Sequence, residues 1–202
     1  MIKLRQPALG LHACDLEPPM RRFKMWQNWQ MPRGARPEDV VYWILYARDQ
    51  APEQMLPNVL INTHGGFQPP IWNKLYIGGR YPEGFDEWAD PPKTIASTIN
   101  IQNVAIFRQL RAKDIGTIWL HGCSAAALPY GHDFCRSMAV ESGCNVVASE
   151  AQQELYPGEA YKYLWSKYSG CIDDYEGRTF CWTPAGGEYQ IGNNGAGVPT
   201  VD

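Results

Sequence analysis

Residues 60–66 read LINTHGG and residues 118–126 read IWLHGCSAA. Each is an apolar run that stops abruptly at a reactive side chain beside glycine. A short run of this kind is the signature of a strand buried on both faces, as in a parallel sheet. In an open α/β sheet, ligands bind beyond the carboxyl ends of the strands. The two stretches therefore predict two strands whose tips, at His64 and Cys123, carry chemistry.

Working outward, residues 40–47 (VVYWILYA) read as another buried strand. Residues 58–63 and 115–120 carry the two quoted runs, and 145–149 (NVVAS) add a fourth strand. Helices are expected between them. In 100–113, Val104, Phe107 and Leu110 recur at helical spacing, and in 132–142 Phe134 and Met138 lie one turn apart before Gly143. In 159–168, Tyr161, Leu164, Trp165 and Tyr168 are apolar. Alternating strands and helices predict one domain over residues 1–202 with its core in 40–150. Its expected form is a three-layer α/β/α sandwich on a mostly parallel central sheet. Residues 65–97 read as a long aromatic loop, expected to form one wall of the site. The tail, 178–202, with Gly186-Gly187 and Asn193-Asn194-Gly195, reads as a hairpin or meander at the sheet edge.

Composition narrows the classes. The chain has 202 residues, 45% of them hydrophobic, enough for one real core. A net charge of −3 without a basic run argues against a nucleic-acid partner, and no stretch has the length of a membrane span. The first thirty residues hold no continuous apolar segment of the signal-peptide kind, and six cysteines at this length suit reduced thiols. A cytoplasmic protein is expected, with delivery elsewhere as a secreted effector left open.

A cysteine and a histidine suffice for acyl transfer: the thiolate attacks a carbonyl and the imidazole relays a proton to the leaving amine. The N–H groups of Gly65 and Cys123 are the candidate oxyanion donors. A helix starting soon after Cys123 would favour the thiolate. Thr63-His64-Gly65 and His121-Gly122-Cys123-Ser124, followed by FCRSMAVESGCNVVAS, resemble the caspase-like cysteine peptidases in motif and in element order. The likeness spans about residues 40–150. It implies peptide-bond hydrolysis with Cys123 as nucleophile and His64 as general acid/base. It also implies a protein or peptide substrate and no cofactor or metal.

Three rivals share these residues. Gly122 to Ala126 could be a variant nucleophile elbow with Ser124 attacking, but that chemistry needs a late histidine, and the four histidines are His12, His64, His121 and His132. His121, Cys123, His132 and Cys135 offer metal-ligand types, although His-x-Cys at a strand end is tight for zinc. A non-catalytic interaction or toxin-associated module on the same fold is the third. His121 is expected to be a buried, satisfied imidazole. Cys14, Cys135, Cys144, Cys171 and Cys181 are expected to be core or incidental thiols.

Overall fold

The computed structural model describes residues 2–16, 23, 25–68, 71–79, 96–153 and 170–199. Its strands are β1 (Ile2–Lys3), β2 (Ala8–His12), β3 (Gln27–Gln30), β4 (Leu56–Asn62), β5 (His64–Gln68), β6 (Ile71–Tyr76), β7 (Thr98–Asn100), β8 (Ile115–His121), β9 (Asn145–Ser149), β10 (Cys171–Ile172), β11 (Thr179–Trp182) and β12 (Glu188–Ile191). Its helices are α1 (Pro37–Gln50) and α2 (Gly131–Ser142).

The chain is an α/β protein built on a seven-stranded mixed sheet in the order β12-β11-β9-β8-β4-β2-β3. The five strands from β9 to β3 run parallel, and β11 and β12 close the edge antiparallel. The edge hairpin expected in the tail is there, turning through Gly186-Gly187. The two strands of the opening motifs are direct neighbours, with Leu60 opposite Trp119 and Asn62 opposite His121. A second sheet, β5-β6-β7, starts as soon as β4 ends, with only Thr63 between them.

Alternating residues of the central strands serve two cores. Leu9, Leu11, Val59, Ile61, Ile118, Leu120 and Val146 pack with Val40, Val41 and Ile44 of α1 and with Phe134 and Met138 of α2. Ala8, Leu60, Trp119 and Val147 face the other way, against Ile2, Leu4, Met25, Ile172 and Tyr175. Burial on both faces is why these strands read as unbroken apolar runs. Among the described residues both α-helices cover the same face, and β1 and β10 lie on the other. The helix expected over 159–168 lies outside the described residues.

Three expectations need correction. Residues 40–47 are helical, inside α1, not a strand. Pro37 opens the helix, Asp39 accepts the Arg36 N–H at 2.8 Å, and Val40, Val41, Ile44 and Ala47 are the buried positions. The end signals and this 3.6-residue spacing outweigh the β-branched and aromatic content that suggested a strand. Residues 100–113 are not one α-helix: β7 ends at Asn100 and only Val104–Leu110 is helical, as a 3-10 turn. Asn100 Oδ1 accepts from the Gln102 N–H and Asn103 Oδ1 from the Asn100 N–H, turns that compete with a helical start. The long loop 65–97 begins as regular structure, because β5 and β6 form an antiparallel hairpin across Gly65–Leu75 and β7 pairs with β6. Its aromatics Tyr81, Phe85 and Trp88 lie outside the described residues. Tyr76 is buried.

Candidate functional site

Three neighbouring parallel strands end in polar side chains on one side of the molecule: β2 before Cys14-Asp15, β4 before Thr63-His64-Gly65, and β8 before Gly122-Cys123. The Thr63 N–H reaches the His121 carbonyl at 3.1 Å and carries the β4–β8 ladder one residue past β4. The chain then turns into β5, and His64 leaves the sheet plane. Its ring is 26% exposed, and Cys123 is likewise half-buried, so neither candidate is enclosed in the core.

Glycine at these tips has a steric cause. A Cβ on Gly65 would be driven into the Cys123 peptide, onto its carbonyl, and one on Gly122 would stand 3.0 Å from Leu75 and 3.1 Å from the Thr63 carbonyl. The bare Cα atoms let the two tips touch backbone to backbone. The Cys123 N–H, one of the two expected oxyanion donors, makes no hydrogen bond among the described residues. Gly65, the other, sits opposite Leu75 in the β5–β6 hairpin.

The turn after Cys123 is held from two sides. Ser124 has a left-handed backbone (φ 55), uncommon for a residue with a side chain. Its N–H bonds to the Ala151 carbonyl at 2.8 Å, and the Ala126 N–H to the Ser149 carbonyl at 3.0 Å, which ties the turn to the end of β9. From β6, the buried Asn73 amide donates to the Ser124 and Ala127 carbonyls at 2.9 and 3.0 Å, with the Ala125 carbonyl at 3.5 Å. One amide thus fixes the whole reversal. The Cys123 thiol points at the Gln153 carbonyl, 3.5 Å away. Helix α2 begins only at Gly131, beyond this turn, so the helix terminus expected next to the thiol is separated from it by residues 124–130.

Two side chains join the site without having been picked out of the sequence. Asp15, just past β2, places Oδ2 3.9 Å from His64 Nε2, within ion-pair range and too long for a direct hydrogen bond. Gly79, at φ 83, leaves room there: a Cβ on it would approach Cys14 Sγ to 2.7 Å and Asp15 to 3.2 Å. Asn73 is the second. The signal for Asp15 lies in residues 8–15, ALGLHACD, an apolar run ending in Cys-Asp that repeats the pattern of the other two tips. Nothing local in IWNKLY marks Asn73, because its partners are 51 to 54 residues away.

The remaining candidates separate. His121, the last residue of β8, is 4% exposed, and burial, with the neighbouring His12, pushes its pKa down to about 4, so the ring is neutral. It lies in a row with Asn62 and His12 across three strands, and Phe23 and Tyr175 pack against it. The ring is buried as expected, but it is not satisfied as expected: its Nδ1 is enclosed without a hydrogen-bond partner among the described residues, at the foot of the candidate site rather than in it. His132 is bound elsewhere, between Glu150 at 3.0 Å and Glu188 at 2.9 Å. Cys135 is fully buried with its thiol toward the Ala125 carbonyl. No three metal-ligating side chains converge among the described residues. All six cysteines are free thiols, and no described helix is long and apolar enough to cross a membrane.

No known protein family, curated protein or solved structure matches the chain.

Proposed function

We propose that the protein is a cysteine peptidase of caspase-like arrangement, with Cys123 as nucleophile and His64 as general acid/base. The observation that carries this reading is the contact of two glycine-lined tips of adjacent parallel strands, one ending in His64 and the other in Cys123. In the reaction, the Cys123 thiolate attacks the scissile carbonyl carbon and the Cys123 N–H stabilises the oxyanion. The C–N bond breaks as His64 gives its proton to the leaving amine. Water, deprotonated by His64, then hydrolyses the thioester. Asp15 orients the imidazole and stabilises its charged form. The clamp on residues 124–127 supplies the rigidity that such a site requires.

The substrate is a protein or peptide, and no cofactor is required. The test is turnover of a broad peptide library, together with iodoacetamide labelling read by peptide mapping. Cys123→Ala and His64→Ala are expected to abolish turnover, Ser124→Ala to retain it, and Asp15→Asn to lower kcat with little change in KM. Selective alkylation at Cys123 near neutral pH is expected in the parent. Full turnover in Cys123→Ala overturns the mechanism. An inert Cys123 with no turnover moves the site to the non-catalytic interaction module.

A further inference from the structure

The strands that present His64 and Cys123 have a second end. At the amino ends of β4 and β8, about 20 Å away by the rise of seven-residue strands, lies a cavity of about 550 Å3. That volume falls in the range of small-molecule sites. Its walls are apolar: Ile2, Leu4, Ile115, Trp119 and Val198 line it, and the first four are at most 5% exposed. The tail 194–199 forms one side. Gly195, at φ 76, lies so close that a Cβ would stand 2.9 Å from Ile2 and 3.3 Å from the Trp119 ring.

Polar side chains break this apolar lining. Thr117, on the floor, is 6% exposed, and its hydroxyl has no hydrogen-bond partner among the described residues. The other buried polar groups there are satisfied: Asn58 accepts from the Trp119 indole at 2.8 Å and donates to the Arg5 carbonyl at 2.9 Å. Lys3 and Arg5, exposed residues of the same lining, make no ion pair among the described residues. The one acidic residue of the lining among the described residues, Asp114, is approached by Arg48 at 3.7 Å.

We propose that this cavity binds a small amphipathic carboxylate, an aliphatic or aromatic acid. Its apolar body packs on Trp119, Ile2 and Leu4, and its acid group meets the charges of Lys3 and Arg5 and the Thr117 hydroxyl. Among the described residues, a hydroxyl without a partner and two cations without an ion pair supply donors and positive charge, while the lining's carboxylate, Asp114, is turned to Arg48. The apolar walls favour a ligand with an apolar body over a fully hydrated anion such as free phosphate, which would leave Trp119, Ile2 and Leu4 without an apolar partner.

The test is a titration of the 15N-labelled protein with decanoate, kept below its micellar range, with decanol as the neutral control. The Trp119 indole signal, assigned through Trp119→Phe, and the Gly195 amide are the reporters. Saturable shifts at both are expected with decanoate. Lys3→Gln/Arg5→Gln is expected to weaken decanoate by about 10-fold or more and to leave decanol unchanged. Thr117→Val, of equal volume, is expected to weaken decanoate as well. Absence of a shift at Trp119, decanol binding as tightly as decanoate, or decanoate affinity indifferent to the double variant would each overturn the proposal.

Discussion

The tips of β4 and β8 carry the same dipeptide, His-Gly, and put it to opposite uses. His121 is still inside its strand, opposite Asn62, with its ring buried against Phe23 and Tyr175. His64 comes two residues after Asn62, past the strand end, with its ring beside Asp15 and partly in solvent. The difference is register alone. A histidine within the ladder is a neutral packing unit, and one just beyond it keeps its ring partly in solvent, as the proposed proton transfer requires. The glycine that follows has the same role in both, since each lets the facing tip approach.

That comparison breaks most visibly under acid. With a folded pKa of about 4 against an ordinary 6.5, His121 takes up a proton more readily in the unfolded chain. Its contribution is complete above about pH 6.5 and declines as pH falls from 6.5 toward 4, by about 3 kcal/mol in total. Urea unfolding at pH 7, 5.5 and 4.5 is expected to show this loss in the parent. His121→Gln is expected to flatten that part of the profile, and His64→Gln is not. An equal flattening by both variants would remove the distinction between the two rings.

The glycines come next. Gly65→Ala places a methyl against the Cys123 backbone, which has nowhere to go, and is expected to cost about 1–3 kcal/mol and to impair turnover. Gly122→Ala meets the end of the Leu75 side chain, which can shift, together with the Thr63 carbonyl, so its cost is expected to be smaller. Melting temperatures of the two variants decide the order.

Much of this was legible in the sequence. The two central strands, the fourth strand at Asn145–Ser149, helix α2 stopped by left-handed Gly143 and the tail hairpin all follow from local pattern and turn residues. The failures have a common cause. VVYWILYA is rich in strand formers, yet it forms a helix because the signals fixing its state, Pro37 and Asp39, lie before it. Residues 100–103 have helical spacing after them and asparagine turns within them, and the turns won. For the site, His64 and Cys123 announce themselves because strand and side chain are contiguous. Asp15 was hidden by an unread strand, and Asn73 by a partnership that exists only in three dimensions.

Asn73 also lets the tip of β8 be loosened without touching Cys123. Asn73→Ala leaves the carbonyls of Ser124 and Ala127 without their donor and is expected to cost about 1–2 kcal/mol. If Cys123 is the nucleophile as proposed, turnover is expected to fall through kcat, with KM nearly unchanged, because the variant would alter the position of Cys123 and not the groups contacting substrate. A shift confined to melting temperature would make Asn73 a structural clamp only.

The smallest expected effect separates function from packing within one element pair. Cys123 and Cys135 each direct a thiol toward a backbone carbonyl, of Gln153 and Ala125 respectively. Cys135 lies wholly inside the core beside Phe134 and Met138, and burial, with Glu188 nearby, pushes its thiol well above the ordinary range. Removing its sulfur opens a void among fixed neighbours, so Cys135→Ala is expected to lose about 1 kcal/mol or more. Cys123 is half-exposed at a strand tip, where solvent can fill the space, so Cys123→Ala is expected to change stability by less than about 0.5 kcal/mol. Alkylation should rank the two oppositely: Cys123 modified in the native protein, and Cys135 only after unfolding. Paired urea curves and peptide mapping test both halves. If Cys123→Ala proves as costly as Cys135→Ala, the β8 tip is part of the core, and the contrast with the buried thiol of α2 disappears.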